Sequence, residues 1–452
     1  MFTYRGYLGW ITDVATAPHA TGAWPVTEID EGLLADYEAA FAMMRDVGLD
    51  LAVIWGLAVG RDWPLNVESG VDARRVAQVR QLLDGAHRHG LRVLAGTGLY
   101  SWGFERIIAE RPDLSRGNPR ALCASHPDAW PLMKRVIDIF GDVLGVDGFS
   151  FQSADQGRCP CERCAAWGDV EYHARLNDRA GSYVKETWPG KTVAVNTWSL
   201  HFPDPADLPH VVAMTRHADY LIDAHSSAAE RDPAYRRRLI DAIRPCVYGT
   251  VGGPFVEPPL HWERARWFLP CLDRPARHAR ELYDEGGRAM EIFFHIAANP
   301  GDEVSARHAA LLLRDPERPS EEVLREVVAD LYRPHDDSAL DRLAGLFRRA
   351  DRAYFSRARN VPAAATLSME PLVSDHAGLP VYLIDHLDRD GLDAYERDIA
   401  TLLAECPSLA EKVERSDKVA TIGACLRGVL GDIVQARETI SRRLSRPIPF
   451  SG

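Results

Sequence analysis

Three thiols fall within six residues, at Cys159, Cys161 and Cys164, in the run Cys159-Pro160-Cys161-Glu162-Arg163-Cys164. Thiolates at this spacing can close on one ion, and a structural zinc takes four N or S ligands in a tetrahedron. Cys123, His126 and His173 are the candidates for the fourth position. An iron–sulfur cluster would also ask for a fourth thiolate, and an uncommitted thiol group is the plain alternative. The remaining cysteines are scattered, and 8 in 452 residues are too few for a disulfide scaffold. The expected cofactor is therefore structural zinc, with no organic cofactor.

A second set of residues stands just past apolar runs. Trp10 and Asp13 follow the first run, Trp55 closes the second, and Tyr100 and Trp102 follow the third. Gln152 and Asp155 come after the fourth, Asn196 and Trp198 after the fifth, and Asp223 and His225 after the sixth. Glu257 follows the seventh, and His295 and Asn299 the eighth. Aromatic faces stack on the C–H surface of a pyranose, while carboxylates, amides and imidazoles take its hydroxyls, so the set suits a sugar. Each residue also has a plainer reading. Asp155, two residues before Gly157, fits a turn cap; Glu257, beside Pro254 and Pro258-Pro259, fits a solvated loop. Asp223 closes an apolar strand, where a carboxylate needs a partner or a substrate. Glu291 sits early on its strand and is expected at the end away from these residues. Arg264 and Arg266, with Trp262 and Trp267, could grip an anionic sugar through planar Arg forks, although an ordinary helix face explains them more simply.

The elements that would carry these residues alternate regularly. Strand-like runs at 6–11, 49–57, 91–96, 146–151, 192–196, 220–223, 247–251 and 289–294 are separated by amphipathic helices, among them 31–47, 73–89, 127–143 and 170–187. Parallel strands need crossover helices, and strands buried on both faces read as continuous apolar runs. Eight such units predict a (β/α)8 TIM barrel over residues 1–303. An open doubly wound sheet would carry a Gly-rich phosphate loop after its first strand, and Trp10-Ile11-Thr12-Asp13 is unlike one. In a barrel, the loops after the strands form the active face, which is where the candidates above fall. From residue 304 the strand signal ends, and helices over 304–313, 320–332 and 338–358 predict an all-helical C-terminal domain, 304–452. Ile422, Leu426, Val429, Ile433, Ala436 and Ile440 make a narrow apolar seam there. Packing on its own domain is the simpler fate of that seam, and a homo-oligomer contact the other.

Composition narrows the function classes. The net charge of −12 argues against nucleic acid or an anionic membrane, both of which need a basic footprint. No uninterrupted apolar run reaches the ~18 residues of a membrane span. Met1-Phe2-Thr3-Tyr4-Arg5 leads straight into a strand, without the charged and apolar regions of a signal peptide. The expectation is a cytoplasmic protein, or one whose leader has been trimmed.

At the fourth strand the sequence resembles a known superfamily. The run Val146-Asp147-Gly148-Phe149-Ser150-Phe151-Gln152-Ser153-Ala154-Asp155, continuing into the Cys-x-Cys-x-x-Cys loop, resembles glycoside-hydrolase-like barrels. Tyr172-His173-Ala174-Arg175-Leu176-Asn177 and Trp188-Pro189-Gly190-Lys191 are similar to the helix that follows there. Leu311-Leu312-Leu313-Arg314-Asp315-Pro316 is similar to the post-barrel helices of α-glucuronidases and their relatives. The similar segments span roughly residues 140–355. The resemblance implies hydrolysis of a glycosidic bond in a small, optionally acidic, glycoside or oligosaccharide. It makes Asp155 the proton-donor candidate, with Asp223 and Glu257 as candidates for base or nucleophile. One departure matters: hexosaminidases that use the substrate's acetamido group carry adjacent acids at this strand, and here the pair is Ala154-Asp155. Two other readings compete. In a metal-dependent barrel lyase, isomerase or hydrolase, Asp223, His225 and His295 would be ligands. In a non-catalytic carbohydrate-binding barrel, the aromatics would act without an acid.

Overall fold

The computed structural model describes residues 1–11, 13–14, 29–58, 71–223, 233–252, 268–293, 299–358, 381–384 and 386–444. Eight parallel strands close in sequence order into one barrel. They are β1 (Tyr4–Trp10), β2 (Leu51–Trp55), β3 (Arg92–Gly98), β4 (Gly148–Gln152), β5 (Thr192–Asn196), β6 (Tyr220–Asp223), β7 (Val247–Gly252) and β8 (Ala289–Phe293). β1 pairs with both β2 and β8, which completes the ring. The fold is thus the (β/α)8 barrel with a helical C-terminal region that the alternation of runs implied.

Local chemistry explains where the crossover helices begin. In α1 (Glu31–Asp46) the Asp30 side chain accepts the Leu33 N–H at 2.8 Å, and in α2 (Ala73–Arg88) Asp72 accepts that of Arg75 at 2.9 Å. Each cap satisfies an amide that the helix cannot. α1 turns Leu33, Tyr37, Phe41 and Met44 inward. After β3 come α3 (Glu105–Glu110) and α4 (Ala129–Asp138); after β4 come the one-turn α5 (Glu162–Ala165) and the long α6 (Asp169–Thr187). α7 (Leu208–Met214), α8 (Pro233–Ala242) and α9 (Asp273–Asp284) follow β5, β6 and β7.

The chain forms two compact units. The first, Met1–Gly252 with His278–Phe293 and Leu313–Pro316, contains the barrel. In it the Leu313 carbonyl accepts the Phe2 N–H at 3.0 Å. The second comprises Gly253–Arg277, Phe294–Leu312 and Glu317–Gly452. Its described helices include Ser320–Tyr332, Asp337–Phe355, Arg389–Ala410 and Ser416–Leu444. One core joins Phe268, Leu269, Leu272 and Val304 to Leu324, Phe347, Tyr395 and Leu426. Ser416–Ser441 is long and apolar enough to cross a membrane, but half of it is buried in the protein. Ile422, Leu426, Val429, Ile433 and Ala436 lie in the core just described, with Ile440 packed against it. The seam is therefore a core seam of its own unit.

Candidate functional site

Register decides which side chains reach the barrel interior. Tyr220 on β6 stacks on Tyr4 of β1 with ring centroids 4.6 Å apart, and its hydroxyl donates to Glu291 of β8 at 2.9 Å. Neither strand adjoins β6, so these side chains cross the inside of the barrel. Paired residues in a parallel ladder share a face, and successive residues alternate. Carried outward from Gly6, the partner of Glu291, the inner face at the C-terminal ends presents Trp10, Trp55, Gly98, Gln152 and Asn196. This is the face where barrel enzymes build their sites.

Two glycines on β3 make room there. A Cβ on Gly96 would sit 2.4 Å from the Trp55 indole, and one on Gly98 would sit 2.2 Å from the Ser101 carbonyl oxygen. The indole therefore lies across one glycine and the following loop folds over the other. Trp10, Trp55 and Trp102 form a triad with ring centroids 4.9–5.5 Å apart. Trp55 and Trp102 are nearly buried by this mutual packing, whereas Trp10 keeps a partly open face. Tyr100 (φ 62°), Trp102 (φ 68°) and Ser199 (φ 64°) all take left-handed backbone in the loops after β3 and β5. Such conformations cost energy for non-glycine residues and persist where surrounding contacts impose them.

Gln152 and Asn196 are register partners at the tops of β4 and β5. Asn196 is tied down, its Oδ1 accepting the Trp198 N–H at 2.9 Å, and Trp198 is partly exposed. Asp155 is half-buried in the turn closed by the Gly157 N–H to the Ala154 carbonyl, with Gly157 at φ 75°. The Ser199 hydroxyl reaches the Asp155 carboxylate at 3.4 Å. The turn is anchored from beneath: Ser101 Oγ donates to the Ser153 carbonyl at 3.1 Å, and Asn177 donates to Ser153 Oγ at 3.0 Å. Asp155 is thus both a turn residue and a carboxylate open to solvent.

Other predicted residues take different places. Asp223 pairs in register with Thr250, whose hydroxyl meets His278 on α9 at 2.6 Å, so its row faces the helices. Asp223 is buried; its Oδ2 accepts from Tyr248 at 2.8 Å and its Oδ1 meets Thr197 Oγ1 at 3.5 Å. The partner that a strand-end carboxylate demands is therefore supplied by β7 and by the end of β5, neither of which the sequence singled out. Asp13 is buried and accepts the Trp10 N–H at 2.7 Å, closing the turn after β1. Tyr100 is buried, and that desolvation pushes its hydroxyl up to about 12 against a hydrogen bond from Arg179. Glu291 lies mid-strand inside the barrel, against Tyr220 at the start of β6, and burial pushes its carboxyl up to about 8. His225, Glu257 and His295 lie outside the described residues, as do Trp262, Arg264, Arg266 and Trp267.

The thiols converge. Cys123, in the segment between β3 and α4, joins Cys159, Cys161 and Cys164, and all four Sγ atoms lie within 4.8 Å of one another. Cys123 Sγ is 3.6 Å from Cys161 Sγ and 4.0 Å from Cys164 Sγ. Of the three candidates for a fourth ligand, it is the cysteine that joins the group. His126 instead faces Asp113 at 3.6 Å, and buried His173 faces Asp169 at 3.9 Å. Four thiols this close could hold a metal ion. Among the described residues no other cluster of three or more His, Cys, Asp or Glu has that character.

No family model matches the chain, and no curated protein matches it in sequence. Solved structures do match in fold. A GH138 enzyme targeting pectin rhamnogalacturonan II aligns with a TM-score of 0.60 at 11% identity, over 99% of this chain and 60% of its own. A mutant of the Thermobaculum terrenum O-GlcNAc hydrolase gives 0.50 at 12%, over 98% and 86%. CpGH84B gives 0.51 at 9%, over 98% and 71%. The chain spans about 60% of the length of the GH138 enzyme. At these identities the likeness is one of fold, that of a (β/α)8 barrel.

Proposed function

We propose that this protein is a glycoside hydrolase acting on a small glycoside or oligosaccharide, with Asp155 as proton donor. The observation that carries the reading is the company Asp155 keeps: a half-open carboxylate follows the strand whose inward end is Gln152. That end pairs in register with Asn196, two residues before the partly exposed Trp198, and Trp10 stands on the same inward face of the barrel. A stacking face with amides and an acid at a barrel mouth is what binding and protonating a glycoside requires. In this reading Trp10, Trp55, Trp102 and Trp198 shape the sugar platform, and Asp13 and Tyr100 support its loops. Asp223, already accepting from Tyr248, serves as a fixed hydrogen-bond acceptor. Glu257 then takes the role of base or nucleophile, and His225 and His295 bind hydroxyls. The four thiols hold structural zinc, with no organic cofactor, in a reducing cytoplasmic setting that keeps them reduced.

The test is a panel of α- and β-configured nitrophenyl glycosides, uronides included, assayed with the parent and Asp155→Asn. Release of nitrophenol by the parent and a loss of about 10²–10⁴-fold in kcat/KM in the variant is the expected result. Full activity in Asp155→Asn overturns the assignment, and parent silence across the panel overturns the glycosidase reading.

A further inference from the structure

We propose that Cys123, Cys159, Cys161 and Cys164 form one tetrathiolate site for a single zinc-type ion. That ion fastens the chain between β3 and α4 to the chain between β4 and α6, the stretch that carries Asp155. The sulfur geometry selects the ligand. Zinc–thiolate bonds of about 2.3 Å in a tetrahedron put sulfurs about 3.8 Å apart, and the separations of 3.6 and 4.0 Å bracket that edge. A disulfide would need about 2.05 Å. A polynuclear iron–sulfur cluster distributes its thiolates over separate irons and needs a wider cage. On loading, four thiol protons leave to solvent and four S–metal bonds form, giving a cage of net charge −2. Ser125 Oγ, 3.1 Å from Cys123 Sγ and 3.6 Å from Cys161 Sγ, is placed to donate to that charge.

The clasp follows from where the ligands stand. Cys123 is two residues past Ala121, which bridges Ser101, and the Leu122 N–H bonds the Tyr100 carbonyl at 2.7 Å. Pulling on Cys123 therefore pulls on the loop that holds Trp102. Cys159 is four residues past Asp155. Among the described residues few other ties run between these segments: the Asn118 amide to the Gln156 and Arg158 carbonyls at 3.0 and 3.3 Å, Ser101 Oγ to the Ser153 carbonyl at 3.1 Å, and Cys159 Sγ to the Arg116 carbonyl at 3.8 Å. From Ser115 to Asp128, and from Ser153 to Cys161, the backbone has no helix or strand to hold it. Four coordinate bonds dominate such a junction. The consequence for Asp155 rests on the glycosidase reading; the clasp itself does not.

The test uses the full chain purified under reducing conditions. Bound metal is measured after dialysis, zinc is exchanged for Co²⁺, and hydrogen exchange is followed before and after chelation. One ion per chain is expected, with the visible bands and sulfur-to-cobalt charge transfer of a tetrahedral thiolate site. Chelation should raise exchange together in residues 115–128 and 153–165 while β8 stays protected. Cys161→Ser, at the most exposed of the four thiols, should lower metal affinity by about tenfold or more. No retained metal with four freely titrating thiols, or with disulfides, overturns the site. Metal bound with faster exchange confined to 159–164 overturns the clasp. A silent glycoside panel beside coupled exchange sinks the glycosidase reading and leaves the clasp standing.

Discussion

Glu291 shows how far a single residue can be set by the barrel around it. Its inward position follows from register with Gly6, where a Cβ would come 3.3 Å from the Glu291 Cγ. One oxygen accepts from Tyr220 and the other, Oε2, has no hydrogen-bond partner among the described residues. Burial then favours the neutral acid and pushes the group up to about 8. The unfolded chain ionises this group near 4.5, so between there and about 8 the folded state holds the extra proton. Stability falls as pH rises through that window. Glu291→Gln mimics the neutral acid, so the expected outcome is convergence of variant and parent near pH 4.5. By pH 8 the variant should be the more stable, on the order of a few kcal/mol. Urea unfolding at several pH values checks this, and parallel curves would show that Glu291 is ionised in the fold. Asp223 makes a complementary case. Tyr248→Phe removes the 2.8 Å bond to its Oδ2 and leaves a buried carboxylate short of a donor. A stability loss of about 1–3 kcal/mol is expected, read by the shift in thermal midpoint.

At the scale of elements, the strands and the first helices were legible because their signals are local: apolar runs for the strands and apolar residues at helical spacing for the helices. Facing was not. β6 is Tyr220-Leu221-Ile222-Asp223, buried on both sides, so no alternation in the sequence tells which side chains point inward. Asp223 therefore looked like a mouth residue, and its place in the helix-facing row emerged only from pairing with Thr250. The thiol group divides the same way. The spacing of Cys159, Cys161 and Cys164 is visible in one line of sequence. The choice of Cys123 over His126 or His173 depends on how the loop after β3 folds back. Ser199, bonded to Asp155, left no signal, since nothing in a serine announces left-handed backbone. The Gly96-Thr97-Gly98 end of β3 offers a test at this scale. Gly96→Ala drives a Cβ to 2.4 Å from the Trp55 indole, so the ring must leave its place in the triad. A loss of about 1–3 kcal/mol and a shifted tryptophan emission are expected. Gly190→Ala, at an exposed turn where a Cβ meets nothing within 4 Å, is the control expected to stay within about 0.5 kcal/mol of the parent.

At the scale of the whole molecule, the two compact units are interleaved in sequence. Both draw on residues from either side of position 303, where the strand pattern stops. The barrel unit includes Leu313–Pro316, with the buried Leu313 accepting the Phe2 amide and Arg314 lying against Gly48. The second unit includes Phe268, Leu269 and Leu272, at most 3% exposed, in one core with the helices after Ser320. Ending the chain at residue 303 therefore takes from both. It strips Phe2 of its acceptor, and it uncovers three large apolar side chains worth about 1.5–3 kcal/mol each when buried. Against a total stability of about 5–15 kcal/mol, that loss removes most of the margin. The expected fragment 1–303 binds a hydrophobic dye, aggregates at micromolar concentration and lacks a cooperative thermal transition. The full chain in the same buffer shows one or more sharp transitions. A monomeric, dye-silent fragment that melts within a few degrees of the full chain would show instead that the barrel completes its own core without the residues beyond 303.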